Sequence, residues 1–282
     1  MLSRLLRLIA LAALVACGRE SSPTTIAAAE QNRIVAIGPG TEASLYALGL
    51  GGRIAGVSDF CTVAEADAVP RVGGQANPNL ERIAALAPSI VLVQGRHPLV
   101  EQWCEVSGVE FRAFATDSIA GWREEVAWLG ARFGILAESG ALVRRVDLEL
   151  AALRPWDSSQ THRALLVVAR RADEASGILA AGPNTFLSEL LALAGGENVL
   201  RDAAQAYVDV NEESLVRLDP QVILEFWPDS APPDPPLAIW RRSFPGLAAV
   251  RDGRVMTVTH RECLIPGPRM PEVARAIAAA LR

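Results

Sequence analysis

The sequence predicts an α/β protein of two similar lobes, each a mainly parallel sheet flanked by helices, joined by a single long rigid backbone helix. Three observations carry that prediction. The first is an internal repeat: residues 79–92 align without a gap on residues 211–224, pairing Asn79 with Asn211, Glu81 with Glu213, Leu86 with Leu218 and Pro88 with Pro220. Each copy reads as a short helix, a proline that stops it and a buried strand. A unit repeated at this scale implies two alike lobes with a ligand cleft between them. The second is the alternation of short apolar runs with helical patterns, which calls for mainly parallel sheets covered on both faces. The third is the helical spacing of Ile119, Trp122, Val126, Leu129 and Phe133, continued by Leu142, Val146 and Leu150, between the two copies.

At the N-terminus, Arg4 and Arg7 precede an apolar run from Leu8 to Ala16, too short to span a bilayer as a mature helix. It ends in Leu14, Val15, Ala16 and Cys17. That ending resembles a lipoprotein signal box, which implies cleavage after residue 16 and a lipid on Cys17. Residues 1–17 are accordingly assigned to a signal peptide and 18–32, small and polar, to a tether.

The N-terminal lobe is placed at 33–117. Its strands are expected at Arg33–Gly38, Ile54–Ser58, around Val91 and at Val109–Phe114, with a helix after Pro39 capped by Thr41. The strand ends carry Gly40, Ser58 to Cys61, Gly95 to His97, and Thr116 with Asp117. Ligands of open α/β sheets sit at such carboxyl ends. The connecting helix is placed at 118–156, capped by Asp117 or Ser118 and closed by Pro155; Gly134 and Gly140 weaken its middle by up to about 1 kcal/mol each, which leaves a bend or break there open. The C-terminal lobe is placed at 157–282, with strands at Arg163–Ala169, Val222–Trp227 and Val255–Thr259. Its helices start near Thr185 and Glu272, and a proline-rich loop runs from Pro228 to Pro236.

Composition narrows the function. A net charge of −5 with no basic cluster argues against nucleic acid as a partner. Beyond Cys17 there are three cysteines, Cys61, Cys104 and Cys263, without a Cys-x-x-Cys pair. A structural zinc site is therefore not expected. A Cys61–Cys263 bridge across the cleft stays open at this point, and Cys104 is expected to pack internally.

Residues 78–88, the connector, Gly195 to Asn198, Tyr207 to Glu213 and Pro266 to Arg269 together resemble the helical-backbone substrate-binding proteins of ABC importers for cobalamin, haem and iron siderophores. The resemblance runs from Arg33 to the C-terminus. It implies a monomeric, extracytoplasmic protein with no intrinsic cofactor, whose cargo is a cobalt or iron chelate. It also implies that Glu81 and Glu213 dock into arginine pockets of the permease, a role that suits carboxylates near helix starts. Residues 58–61 and 70–74, with the Pro266 to Arg269 stretch, lean toward the cobalamin-type members; Gln75 stands where those commonly carry an aromatic. Haem or a ferric siderophore is the alternative cargo.

The ligand contacts expected from strand ends and the resemblance are Phe60, Cys61, Gln75, Arg96, His97, Phe186, Tyr207, Trp227, His260 and Arg261. Aromatics suit a broad macrocycle, and Arg96, Arg261 and Arg269 suit an acidic one, although Arg269 is expected rather to anchor the turn before the last helix. His97, His260 and Cys61 are the candidates for direct metal ligation, against polar contacts alone. Cys61 with either histidine is also the one pairing that would permit a thiol hydrolase, the remote catalytic alternative.

Overall fold

The computed structural model describes residues 33–153, 162–228 and 234–281. The signal peptide with Cys17, the tether, the end of the connector at 154–156 and most of the proline-rich loop lie outside the described residues.

The N-terminal lobe is a four-stranded, all-parallel sheet in the order β2-β1-β3-β4, made of β1 (Ile34–Ile37), β2 (Ile54–Gly56), β3 (Ile90–Gln94) and β4 (Glu110–Phe114). Both central strands are apolar and buried except for Gln94, which ends β3, as a sheet covered on two faces requires. The helices are α1 (Pro39–Ala47), α2 (Leu80–Ala85) and α3 (Pro98–Ser107). Thr41 does not cap α1: the helix begins at Pro39 with Gly38 as its cap residue, so Thr41 falls inside the first turn and is buried.

The C-terminal lobe has β5 (His162–Ala169), β6 (Ile178–Ala181), α6 (Phe186–Leu193), β7 (Gly196–Asn198), β8 (Tyr207–Val210), α7 (Glu212–Leu218), β9 (Val222–Trp227), α8 (Pro236–Ser243), α9 (Ala248–Arg251), β10 (Val255–Thr259) and α10 (Met270–Leu281). Its sheet runs β10-β9-β5-β6-β8, with β7 beside β5. The β10–β9, β9–β5 and β5–β7 pairs are parallel, whereas the β5–β6 and β6–β8 pairs are antiparallel. Thr185 caps α6 as expected, its hydroxyl accepting from the Ser188 N–H.

The repeat is visible bond by bond. Asn79 caps α2 by accepting from the Arg82 N–H (3.0 Å), and Asn211 caps α7 by accepting from the Ser214 N–H (2.8 Å). Pro88 and Pro220 then divert each chain into β3 and β9, which pair in parallel with β1 and β5 in the same register, Ile34 with Ile90 and Ala164 with Val222.

The connector is where the sequence reading needs correction. It is two helices, α4 (Ile119–Phe133) and α5 (Leu136–Ala151), folded back on each other. Gly134 takes the left-handed conformation (φ 71°), and the Ile135 N–H returns to the Gly130 carbonyl at 2.9 Å, a pattern that closes a helix. The antiparallel return is fixed by Arg123–Asp147 (2.7 Å) at one end and by Gly130 against Ser139 near the turn. A Cβ on residue 130 would overlap the Ser139 hydroxyl. Ser118, not Asp117, caps α4.

Each arm of this hairpin serves one lobe. The Trp122 indole donates to Ser44 on α1 (3.1 Å), and Arg275 on α10 reaches Glu149 on α5 (3.2 Å). Trp122, Val126, Leu129, Leu142, Val146 and Leu150 join one apolar core that runs from Ile34 in the first strand to Leu281 at the end of α10. Burial of this continuous apolar surface, at roughly 25 cal/mol per Å², holds the lobes and the hairpin together.

Candidate functional site

Three adjoining cavities run from the N-terminal lobe across the junction onto the C-terminal lobe. The outer one, about 760 Å³, lies between the loop before α2 and the start of α3 and is lined by Gln75, Asn77, Leu80, Gln94, Arg96, His97 and Leu99, among others. The central one, about 470 Å³, draws on both lobes through Gln75, Gln94, Thr116, Asp117, Asn184, Tyr207, Leu264 and Pro266. The third, about 290 Å³, sits over the carboxyl ends of β5 and β9 and is lined by Arg170, Glu225, Trp227 and Leu264. Gln75 and Gln94 belong to the first two cavities and Leu264 to the last two.

The central cavity is organised by the turn between β4 and α4. The Asp117 carbonyl accepts from the Phe186 N–H (2.8 Å), its carboxylate accepts from the Tyr207 hydroxyl (2.9 Å), and Glu189 accepts from the Ile119 N–H (2.8 Å). All three bonds reach the C-terminal lobe, and the Glu189 carboxylate meets the exposed N–H of a helix start, where the dipole favours it. Burial raises the Asp117 pKa, the Tyr207 hydroxyl opposes that rise, and Glu189 adds to it. Burial and the neighbouring carboxylate raise Tyr207 in turn. Opposite, Gln75 Nε2 donates to the Gln94 carbonyl (3.0 Å), while Gln94 Oε1 accepts from the Gly40 N–H (3.0 Å).

The third cavity has a neutralised floor. Arg170 and Glu225 form a bidentate pair (2.6 and 3.0 Å) whose side chains are each 1 % exposed. Glu225 also accepts from the Trp240 indole (2.6 Å) and the Trp227 indole (3.1 Å), and Arg170 donates to the carbonyls of Arg171 and Ala172. Every charge there is hydrogen-bonded, as buried charges must be. The pair also fixes Trp227, over whose ring the guanidinium lies at 5.7 Å.

Of the contacts expected from sequence, Gln75, Arg96, His97, Tyr207 and Trp227 line these cavities. Phe186 does not: it is 1 % exposed and belongs to the core under α6. Cys61 is also buried and lines none of the three cavities, and burial with the Glu42 carboxylate beside it pushes its thiol up to about 12, away from a nucleophilic thiolate. His260 is spent on local bonds, Nδ1 accepting from the Glu262 N–H (3.1 Å) and Nε2 facing Glu272 (2.9 Å). Phe60 and Arg261 are exposed and line none of the three cavities. Arg269 is likewise structural, binding Glu272 at 3.1 and 2.8 Å ahead of α10.

His97 is thus the single candidate metal ligand that reaches a cavity, and burial lowers its pKa. No three His, Cys, Asp or Glu side chains cluster to hold a metal among the described residues. Cys61, Cys104 and Cys263 are buried thiols, so the bridge considered between the first and last is not formed. The sequence reading also missed Gln94, Asn184 and Leu264. Only the strand-end position of Gln94 offered a signal; Asn184, with φ 59°, and Leu264 come from loops. Glu81 and Glu213 are exposed in the first turns of α2 and α7, and neither makes an ion pair among the described residues.

Two α/β lobes with a cleft at their strand ends are the architecture of a solute-binding protein. The chain belongs to the periplasmic binding protein family, whose model matches residues 34–261. Among curated relatives, a cobalamin-binding protein of Halobacterium salinarum is 27 % identical over 202 residues, 69 % of this chain and 54 % of that protein. The chain spans about half the length of the curated relatives it matches. A periplasmic haem-binding protein from Pseudomonas aeruginosa superposes with a TM-score of 0.72 at 27 % identity, covering 88 % of this chain and 92 % of that one. The periplasmic vitamin B12-binding protein BtuF of Vibrio cholerae does so with a TM-score of 0.70 at 20 % identity, covering 89 % and 96 %. The family is one of substrate-binding transport proteins, so the hydrolase alternative falls. No helix among the described residues is long and apolar enough to cross a membrane.

Proposed function

We propose that this protein is a lipid-anchored extracytoplasmic receptor that delivers a corrinoid to an ABC importer. The observation that carries the cargo is the chemistry of the central cavity. Its polar lining is mainly amide and hydroxyl, from Gln75, Gln94, Asn184, Ser118, Thr116 and Tyr207, joined by the Asp117 carboxylate and, among the described residues, by no cation. A corrinoid presents a rim of neutral amides, which such groups satisfy by mutual hydrogen bonds. The propionates of haem or the anionic donors of a siderophore would be desolvated there without a positive partner, at a cost. Leu264, Pro266 and Phe114 supply apolar area for the macrocycle.

Haem remains the second reading because Arg96 and His97 line the adjoining outer cavity and suit an acidic or iron-bearing ligand. Anchoring is assigned to Cys17 from the signal box, and docking to Glu81 and Glu213 from their matched, unpaired positions. The hairpin, packed on both lobes, favours small lobe motions on binding. Tryptophan-fluorescence titration with cobalamin, cobinamide, haem and a ferric hydroxamate tests the cargo, since Trp227 lines the third cavity. Saturable quenching by a corrinoid at micromolar or tighter affinity is expected. A response to haem alone would move the cargo to the second reading.

A further inference from the structure

We infer that Asp117 is the residue that selects the cargo at the cleft floor, accepting a hydrogen bond from a ligand amide and rejecting a carboxylate in that place. The inference rests on the corrinoid reading and extends it to one side chain. Among the described residues, Asp117 is the only acidic or basic side chain lining the central cavity. One of its oxygens accepts from Tyr207 at 2.9 Å, and the other has no hydrogen-bond partner among the described residues. An unpaired acceptor at the cavity surface is available to an N–H donor of the ligand. Its position is fixed from two sides, because the backbone of the same residue is held by Phe186 N–H and the next helix start by Glu189.

The chemistry of discrimination follows. An amide nitrogen donating to a carboxylate makes a charge-assisted hydrogen bond, about twice as strong as a neutral one. A ligand carboxylate at the same spot would place two like charges together in a partly desolvated cleft, where one must take up a proton or move. Cationic relief is distant in kind: Arg96 and His97 line the outer cavity only, and Arg170 is already matched by Glu225.

The test uses cyanocobalamin and its monocarboxylic acids, which differ by one amide turned to carboxylate, titrated into the purified protein and followed by tryptophan fluorescence. The wild-type protein is expected to prefer the amide over at least one of the acids by roughly tenfold or more. Asp117→Asn should bring that ratio toward one, while still accepting the Tyr207 hydroxyl and so keeping the fold. Tyr207→Phe retains the carboxylate and should retain the discrimination. An unchanged ratio in Asp117→Asn overturns the inference while leaving the corrinoid reading intact. Failure of the wild-type protein to bind any corrinoid overturns both.

Discussion

Arg33 and Arg163 occupy equivalent places in the two lobes and make the same two contacts. The Arg33 guanidinium donates to the Leu86 carbonyl (2.9 Å) and its own carbonyl accepts from the Ser89 N–H (2.9 Å). The Arg163 guanidinium donates to the Leu218 carbonyl (3.0 Å) and its carbonyl accepts from the Gln221 N–H (2.9 Å). Leu86 with Leu218 and Ser89 with Gln221 are matched positions of the sequence repeat. The arginine therefore ties the end of the short helix to the first strand of its lobe, and that tie sets the direction in which α2 and α7 present their first turns.

Those first turns carry Glu81 and Glu213, held by the Asn79 and Asn211 caps. Replacing either asparagine by alanine should cost about 1 kcal/mol of stability, and the two losses should add because the sites share no partner. Denaturant unfolding of the single and double variants checks this. A loss in the double variant well short of the sum would mean that the two lobes do not carry independent copies of the same device.

Replacing Glu81 and Glu213 themselves by alanine should leave ligand titrations unchanged, since neither lines the cleft. Uptake through the cognate permease should fall at least tenfold, the order expected when charge-assisted arginine contacts are lost. Normal uptake by the double variant would remove both residues from the docking surface.

The repeat was legible in sequence because it rests on local rules. An asparagine cap, a proline stop and an apolar strand each depend on a few neighbours, and the caps are found where those rules put them. The hairpin was not legible. The apolar stripe from Ile119 to Leu150 fits one helix as well as two, and about 1 kcal/mol per glycine does not decide between them. What decides is tertiary: α5 gains Glu149–Arg275 and the core face of α10 only by turning back. The same limit governed the site. Strand ends located Arg96, His97 and Asp117, but the burial of Phe186 and Cys61 and the local bonds of His260 depend on neighbours distant in sequence or on loop geometry.

The hairpin predicts its own weak point. Gly130→Val places a branched side chain where even a Cβ overlaps Ser139. The helices must then separate, and overpacking of this kind costs about 1–3 kcal/mol. Thermal unfolding should register the loss, and Ser139→Ala in the same background should restore part of it by removing the hydroxyl. A Gly130→Val variant as stable as the parent would contradict the close crossing.

The Arg170–Glu225 pair should behave as a buried ion pair broken from one side. Arg170→Met leaves the carboxylate with two indole donors and no cation, and should cost about 3–5 kcal/mol. Adding Glu225→Gln should recover part of that, because the charge is gone while the amide oxygen still offers an acceptor to one of the two indoles, which bond different carboxylate oxygens in the parent. The emission of Trp227, which touches both residues, should shift in the single variant and return in the double. Equal stability of the single and double variants would show that the desolvated charge is not what the arginine balances.

Glu125 supplies a pH dependence whose sign is fixed. It is fully buried on α4, its carboxylate makes no well-formed hydrogen bond among the described residues, and burial raises its pKa from 4.5 to about 7, with the Thr41 hydroxyl beside it opposing the rise. Between those two values the folded state holds a proton that the unfolded chain has released. Stability contributed by this group is therefore complete below pH 4.5 and declines as pH rises toward 7, because the slope follows the protons bound in the unfolded state minus those in the folded state. A shift of that size corresponds to about 3 kcal/mol at most. Glu125→Gln keeps the shape and removes the titration. Its unfolding free energy, relative to the parent, should rise steadily from pH 4.5 to pH 7 and level off above. A parent and variant whose difference stays constant over that range would show that Glu125 keeps its ordinary acidity in the fold.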